Sequence, residues 1–543
     1  MLPLRLPAFL APGPAQMFSW NFPYPSQRMP VLAKNVVATS QPLAAQAGLS
    51  MLARGGNAVD AGLAAAITLA VVEPTSNGIG SDAFAILWDG QRLVGLNASG
   101  RSPAGWTQER FAGRKAMPTL GWDSVTVPGC VSAWVALSRR YGKLPFEALF
   151  EPAIRYARES FMVSPITAMS WARQAPSFKD MSEFCWTFLP KDRAPYPGER
   201  FYCPQQAETL EDIAATKGES FYRGALAERI ALAAEADGAA MTLEDLSAHK
   251  NDWVDPVSIA YRGYELHEIG PAGQGIAALM ALGMLRHFDL ASMPVDGPDS
   301  VHLQLEAMKL ALADVWAHVS DRETMRVTTA QLLDDAYLEQ RAKAIDMQRT
   351  QQHKAGIPAG GGTVYLAAAD EKGMMLSFIQ SNYMGFGSGI VVPGTGISLQ
   401  NRGAGFTLEP GHPNQVGPRK RPFHTIIPGF LTRGGEPVMS FGVMGGNMQS
   451  QGHVQMVTRL VDYNQNPQSC SDGPRWIVNT DFSVSVEDAL PEATKAALTQ
   501  RGHRLVPSER PMFGFGGAQL IYRLDDGYCA GSDHRKDGLA IGF

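Results

Sequence analysis

Few side chains in this 543-residue sequence could do chemistry unaided, and Thr363 stands out among them. It follows the polar, Gly-rich stretch IDMQRTQQHKAGIPAGGG and opens the β-rich run TVYLAAA. A threonine hydroxyl is a weak nucleophile and needs a base beside it. A free N-terminal amine, with an unperturbed pKa of about 7.7–8.0, is such a base, and cleavage before Thr363 would create one. Gly362 permits the strained backbone geometry in which the Thr hydroxyl attacks the preceding carbonyl. Other chemistries find less support. No GxSxG, HExxH or Walker A sequence occurs, and no nucleotide-binding glycine pattern sits between a strand and a helix. His302, His318 and His453 fall in helical patterns and read as surface or satisfied core residues. Glu306 and Asp314 read as helix-surface or packing polars rather than as a glycosidase pair.

The elements that must position Thr363 are legible as periodicities. NVVATS is a short extended segment, PLAAQAGLSMLARGG reads as a helix, and NAVDAGLAAAITLAVVEP reads as a second helix whose alanines permit close packing. AFAILWDG and QRLVGLNAS form a hairpin. Residues 130 to 350 are mainly helical, with apolar spacings of three and four. Residues 345 to 362 read as a loose linker. A hairpin of Thr363–Ala369 and Met374–Ile379 follows, with further strands expected at Thr425–Phe430, Val438–Val443 and Ala518–Tyr522. A helix is expected at GHVQMVTRLVDYN, after the glycines of VMGGNMQSQ.

Composition narrows the class. With 47 Lys+Arg against 52 Asp+Glu there is no basic footprint for nucleic acid. Hydrophobic residues at 45% supply a large core. The five cysteines are odd in number and form no CxxC, which argues against a disulfide framework or structural zinc. The longest mainly apolar run, Leu63 to Val72, falls far short of the ~20 residues of a bilayer span, so no membrane insertion is expected. The proline-broken start, MLPLRLPAFLAPGPAQMF, reads as a flexible arm or a mis-set start rather than a signal peptide. A cytoplasmic enzyme is the default, with periplasmic export left open.

From about Asn35 to its end the chain resembles the γ-glutamyltransferase family, or glutathione hydrolases, including cephalosporin-acylase-like members. The resemblance lies in PLAAQAGLSMLARGGNAVDAGLAAAITLAVVEPTSNGIGSDAF, VTVPGCVSAWVALSRRYGKLPFEALFEPAIRYA and FGSGIVVPGTGISLQNRG. It continues in GPRKRPFHTIIPG, VMGGNMQSQGHVQ and DHRKDGLAIGF. It implies an α/β N-terminal-nucleophile hydrolase, a four-layer αββα sandwich with a large helical contribution from the first part of the chain. It also implies a proenzyme that cuts itself before Thr363. Residues 1–34 would then be an arm, and 35–362 and 363–543 two portions of one folded unit. By the same resemblance Gly445 and Gly446 hold the oxyanion, Ser381 supports the nucleophile, and Arg101 grips the substrate carboxylate. The implied activity is transfer or hydrolysis of γ-glutamyl amides such as glutathione, through an acyl-enzyme resolved by water, an amino acid or a peptide. No metal or organic cofactor is implied, and a homo-oligomer is possible.

The chain departs from the family's pattern at the substrate. Val364 replaces the usual second Thr, and His424 and Thr425 stand where typical members carry two serines. In Leu399-Gln-Asn-Arg-Gly-Ala-Gly, Arg402 takes an acidic or amide position, and Gly405 takes that of the Asp that binds the substrate ammonium. An Arg repels an ammonium, and a missing carboxylate leaves it unpaired. At the family's strand-end Asn the register gives Tyr383, with Asn382 adjacent. The stretch TLEPGHPNQVGP is short, which predicts a missing lid and a more open pocket. These changes leave acyl transfer intact and weaken amino-acid recognition. Alternatives to the γ-glutamyl reading are therefore a glutaryl- or cephalosporin-type acylase, with Arg101 and Arg402 on the distal carboxylate, or an inactive scaffold homologue.

Overall fold

The computed structural model describes residues 26–351, 362–508 and 513–543. Two seven-stranded antiparallel sheets form its centre. The first runs Leu539–Gly542, Val36–Thr39, Gly362–Ala369, Met375–Tyr383, Asp82–Trp88, Leu93–Asn97, Asp252–Val254. The second runs Val31–Ala33, Gly527–Ser532, Gly517–Leu524, Glu436–Met444, Gly429–Arg433, Tyr264–Glu268, Val257–Tyr261. The sheets meet closely where Tyr365 faces Gly442: a Cβ added at Gly442 would lie 2.4 Å from the tyrosine ring. Strands from both sides of the Gly362–Thr363 bond interleave in each sheet, so the two portions share one core.

Helices cover both outer faces and complete the αββα sandwich. On the first sheet lie Pro42–Ala53 and Ala58–Val72. The second of these begins at a capping box, with Asn57 accepting from Asp60 N–H and the Asp60 side chain accepting from Asn57 N–H. All its residues are buried, and a Cβ at Gly62 would strike Leu376 Cδ2 at 2.3 Å, so glycine lets this helix lie directly on the central hairpin. Gly275–Leu285, Pro298–His318 and Met448–Val461 pack on the second sheet. Eight further α-helices between Cys130 and Ser247 supply the helical bulk expected of the first part of the chain.

Two sequence expectations change. The strand expected at Thr425–Phe430 begins only at Gly429. Before it, backbone groups are taken by side chains: Thr425 O accepts from Gln274 and Ile427 N–H donates to Gln449. Part of the N-terminal arm belongs to the sandwich. Val31–Ala33 pairs with Tyr528–Ala530, and Arg28 Nη1 donates to Gly538 O at 2.7 Å. Residues 1–25 of that arm, and 352–361 of the expected linker, lie outside the described residues.

Candidate active site

Thr363 sits one residue into the Gly362–Ala369 strand, at the centre of the first sheet. The ladder slips there: Gly362 pairs with Tyr383 and Val364 with Gln380, so Ser381 and Asn382 together oppose Thr363. This bulge aims Ser381 at the nucleophile, its Oγ 3.1 Å from Thr363 Oγ1. Ser381 Oγ accepts from Tyr383 N–H at 2.7 Å, and Tyr383 sits at φ 75°, a costly backbone conformation for a bulky residue. The second sheet contributes Gln449, whose Nε2 donates to Thr363 Oγ1 at 3.3 Å. Gly445 and Gly446, at φ 131° and 62°, join the Glu436–Met444 strand to the helix carrying Gln449. A Cβ at Gly445 would lie 2.9 Å from Gly516 Cα, so this turn requires glycine both for conformation and for space.

From Thr363 a closed circuit of contacts surrounds the site. Beyond Ser381, the Tyr383 ring lies under Arg402, whose Cζ is 4.2 Å from the ring centroid. Arg402 Nη1 donates to Thr425 Oγ1 at 2.9 Å. Thr425 O accepts from Gln274 Nε2 at 2.6 Å, and the same nitrogen donates to Gly446 O at 2.8 Å. Ser450 donates to Gln274 Oε1 at 3.3 Å, and the neighbouring Gln449 returns to Thr363.

The circuit is buried, and some of its polar atoms lack partners among the described residues. Arg402 is 0% exposed, and its Nε and Nη2 have no hydrogen-bond partner among the described residues. Burial lowers its pKa to about 10, against the opposing pull of Asp82. Asp82, from the neighbouring strand, is pushed up to about 7 by burial, with Arg402 and Arg421 acting in the opposite direction. His424 Nε2 lies 3.2 Å from Asp82 Oδ2, and its Nδ1 has no partner among the described residues. Burial, then Arg402 and Arg421, hold the imidazole neutral well below its ordinary range. Three polar atoms on two buried side chains thus have no hydrogen-bond partner among the described residues.

Gly445, Gly446, Ser381, Arg402, Thr425 and Tyr383 all belong to the circuit around Thr363, and His424 flanks it through Asp82. Arg101 does not join it. Its half-exposed guanidinium is taken by Asp321 Oδ2 at 3.1 Å and Arg419 O at 3.2 Å. Asn382 also turns away: its Oδ1 accepts from Ser81 and its Nδ2 donates to Ser398 Oγ and Phe386 O. In the uncut chain Thr363, Tyr383 and Thr425 are each only 1% exposed. The shortened 407–418 segment folds inward, and Trp106 packs with Phe111, Phe406 and Val416 against the Arg402–Gly405 turn. Sequence reasoning missed Asp82, Gln274 and Gln449. The detectable signal was Gln449 in the first turn after a double glycine, where anion-binding donors collect.

A second buried cluster brings the ligand atoms of His302, Glu306 and His503 within 4.8 Å of one another. It carries its own cation. Lys309 Nζ donates to Glu306 Oε1 and His503 Nδ1, each at 3.0 Å, and to Thr350 Oγ1 at 2.5 Å. His302 Nδ1 and His503 Nε2 lie 2.7 Å apart and bond to each other. The donor set therefore fits an internal ammonium rather than a metal ion.

Against known proteins, residues 44–543 match the model of the γ-glutamyltranspeptidase family, and the chain belongs to that family. It is 34% identical over 521 residues to the glutathione hydrolase-like YwrD proenzyme of Bacillus subtilis, covering 94% of this chain and 98% of that protein. It is 35% identical over 519 residues to the oxamate amidohydrolase proenzyme of Klebsiella pneumoniae, covering 92% and 97%. The crystal structure of a cephalosporin acylase from Bacillus halodurans superposes with a TM-score of 0.92 at 46% identity, over 97% of this chain and 99% of that one. The chain is thus an N-terminal-nucleophile hydrolase of the transpeptidase–acylase group, with the organisation of a self-cleaving proenzyme.

Proposed function

We propose that this member of the γ-glutamyltranspeptidase family is a self-activating amide hydrolase for acyl groups that carry a carboxylate and no neighbouring ammonium. The observation that carries this reading is Arg402: a buried guanidinium beside the nucleophile strand, with two N–H-bearing nitrogens lacking partners among the described residues. A planar carboxylate supplies the two acceptors that these nitrogens require. An α-ammonium finds no counterpart. Gly405 stands where the family's Asp would be, and a Cβ there would lie 2.5 Å from Phe423 O, so the backbone has closed over that position. The similarity to an oxamate amidohydrolase supports the same reading. Oxamate is an amide whose acyl group ends in a carboxylate and has no amine next to it.

In maturation, Thr363 Oγ1 attacks the Gly362 carbonyl carbon. The Gly362–Thr363 C–N bond breaks and the nitrogen takes the hydroxyl proton. Water then splits the ester, leaving a Gly362 carboxylate and a free Thr363 amine. In turnover that amine takes the Oγ1 proton as the hydroxyl attacks the amide carbon. The oxyanion rests on the Gly445–Gly446 turn, and the leaving amine departs with the proton. Water resolves the ester and restores the hydroxyl. Ser381 and Gln449 orient Thr363 Oγ1 in both reactions, and Arg402 with Thr425 fixes the acyl carboxylate. Arg101 remains in its ion pair with Asp321.

Intact mass spectrometry of the wild type and Thr363→Ala tests the first half. The wild type should yield two chains split before Thr363, and the variant one. Mature enzyme offered succinyl-, glutaryl- and γ-glutamyl-p-nitroanilide tests the second. The diacid monoanilides should react faster; a γ-glutamyl substrate that outpaces both would restore the glutathione-type reading.

A further inference from the structure

Gln274 stands at the N-terminal boundary of the Gly275–Leu285 helix, where Ser, Thr, Asp or Asn would ordinarily cap. Its side chain makes no capping bond. It is 1% exposed and spends its amide elsewhere: Nε2 donates to Thr425 O and to Gly446 O, while Oε1 accepts from Ser450 Oγ. Its backbone N–H also donates to His424 O at 2.9 Å. One residue therefore holds the loop of the Arg402 partner and the glycine turn at the oxyanion position. Gly446, at φ 62° and without a Cβ, has its carbonyl held from two sides, by Gln274 Nε2 and by the Gln449 N–H at 3.2 Å. Fixing its carbonyl fixes the peptide plane that follows it, and with it the ψ of the glycine.

We propose that Gln274 is a positioning residue that locks the oxyanion turn to the acyl-carboxylate loop, so that a bound carboxylate and the developing oxyanion are held in one rigid frame. The inference rests on the proposed oxyanion role of Gly445 and Gly446. Both hydrogens of one amide meet two carbonyl oxygens, a task that glutamine performs and glutamate at neutral pH cannot. A carboxylate at position 274 would face two carbonyl oxygens and repel both.

The test uses the matured two-chain enzyme, with active sites counted by covalent titration of Thr363, and Gln274→Met, Gln274→Glu and Ser450→Ala variants. Gln274→Met should lower kcat by about 10- to 100-fold at every pH, with KM changed less than about threefold, because the oxyanion donors are displaced rather than deleted. Gln274→Glu should match it at pH 8 and recover at least about fivefold relative to wild type as the pH falls to 5.5, when the protonated acid again donates one hydrogen bond. Ser450→Ala, which leaves Nε2 in place, should cost about threefold and serves as the folding-neutral variant. Unchanged kcat per titrated site in both Gln274 variants overturns the proposal. So does a rise in KM at constant kcat, or a Gln274→Glu profile without recovery in acid. A wild type that does not mature, or matures without activity on any anilide, refutes the proposed function, whereas an active wild type with indifferent variants refutes only this inference.

Discussion

Two buried polar clusters in this molecule contain the same kinds of group and differ in whether those groups are paired. In the His302–Glu306–Lys309–His503 cluster the hydrogen bonds run in one direction. The Lys309 ammonium donates to Glu306, Thr350 and His503 Nδ1; His503 Nε2–H donates to His302 Nδ1; and His302 Nε2–H donates to Asp346 O. Glu306 Oε2 accepts from Gln351 N–H. Each proton has an acceptor, and the cluster ties the Pro298–His318 helix to residues 346–351 and to His503 in the other portion of the chain. In the cluster beside Thr363, Arg402 Nε, Arg402 Nη2 and His424 Nδ1 have none among the described residues. A buried charge without partners costs stability and persists only where something else requires it. The paired cluster braces the fold, and the other is the place proposed for the acyl carboxylate.

Substitution in the two clusters should therefore act with opposite signs. The largest effect is expected from Lys309→Met, which strands Glu306 in the core and should destabilise by about 3–5 kcal/mol while leaving kcat per titrated Thr363 unchanged. Denaturant melts and active-site titration check this; equal loss of stability and turnover would erase the distinction. Arg402→Met should do the reverse. Removing a buried cation whose Nε and Nη2 lack partners among the described residues should stabilise by about 1–4 kcal/mol, and kcat/KM for a diacid monoamide should fall by about 10²–10³-fold. A destabilised Arg402→Met would mean that Asp82 and Thr425 pair the arginine better than the geometry indicates.

A smaller effect concerns pH. Asp82 is raised to about 7, so the fold favours its neutral form; its stabilising share is present below about pH 4 and lost as pH rises through 7. The proton also matters to a ligand. Neutral Asp82 donates to His424 Nε2, which leaves Nδ1–H to donate to a carboxylate; ionised Asp82 accepts from Nε2–H and leaves Nδ1 a bare acceptor beside a second negative charge. KM for the diacid amide should rise about fivefold between pH 6 and 8, roughly 1 kcal/mol, and Asp82→Asn should flatten the profile. A wild-type KM independent of pH across that range would detach Asp82 from binding.

Much of this could be read in the sequence, and the rest failed for identifiable reasons. Thr363 was visible because a polar, Gly-rich run of sequence meets a β-rich run there, and the family resemblance made it the expected nucleophile. Strands with clean alternation, such as Val438–Val443, and helices with strong apolar faces emerged close to their expected places. Thr425–Phe430 misled because its β-rich composition serves a segment whose backbone bonds go to glutamine side chains, and such pairings over 22 to 151 residues have no local signature. The partner of Arg101 was hidden for the same reason: Asp321 is 220 residues away. The shortened segment packs apolar side chains near the Arg402–Gly405 turn, an arrangement of tertiary packing that loop length does not reveal. Arg402 was singled out as a departure, but its burial against Tyr383, with two nitrogens lacking partners among the described residues, belongs to the fold alone.

The central claim is that Arg402 selects an acyl carboxylate and rejects an ammonium beside Thr363. Its most direct test is the ratio of kcat/KM for glutaryl- against γ-glutamyl-p-nitroanilide, two substrates that differ only in the α-amine, measured for the mature wild type and for Arg402→Gln. The account predicts a ratio well above one in the wild type, and a fall of at least about tenfold when the cation is removed, the scale of one buried charge contact. A wild-type ratio below one, or a ratio that Arg402→Gln leaves unchanged, would contradict it.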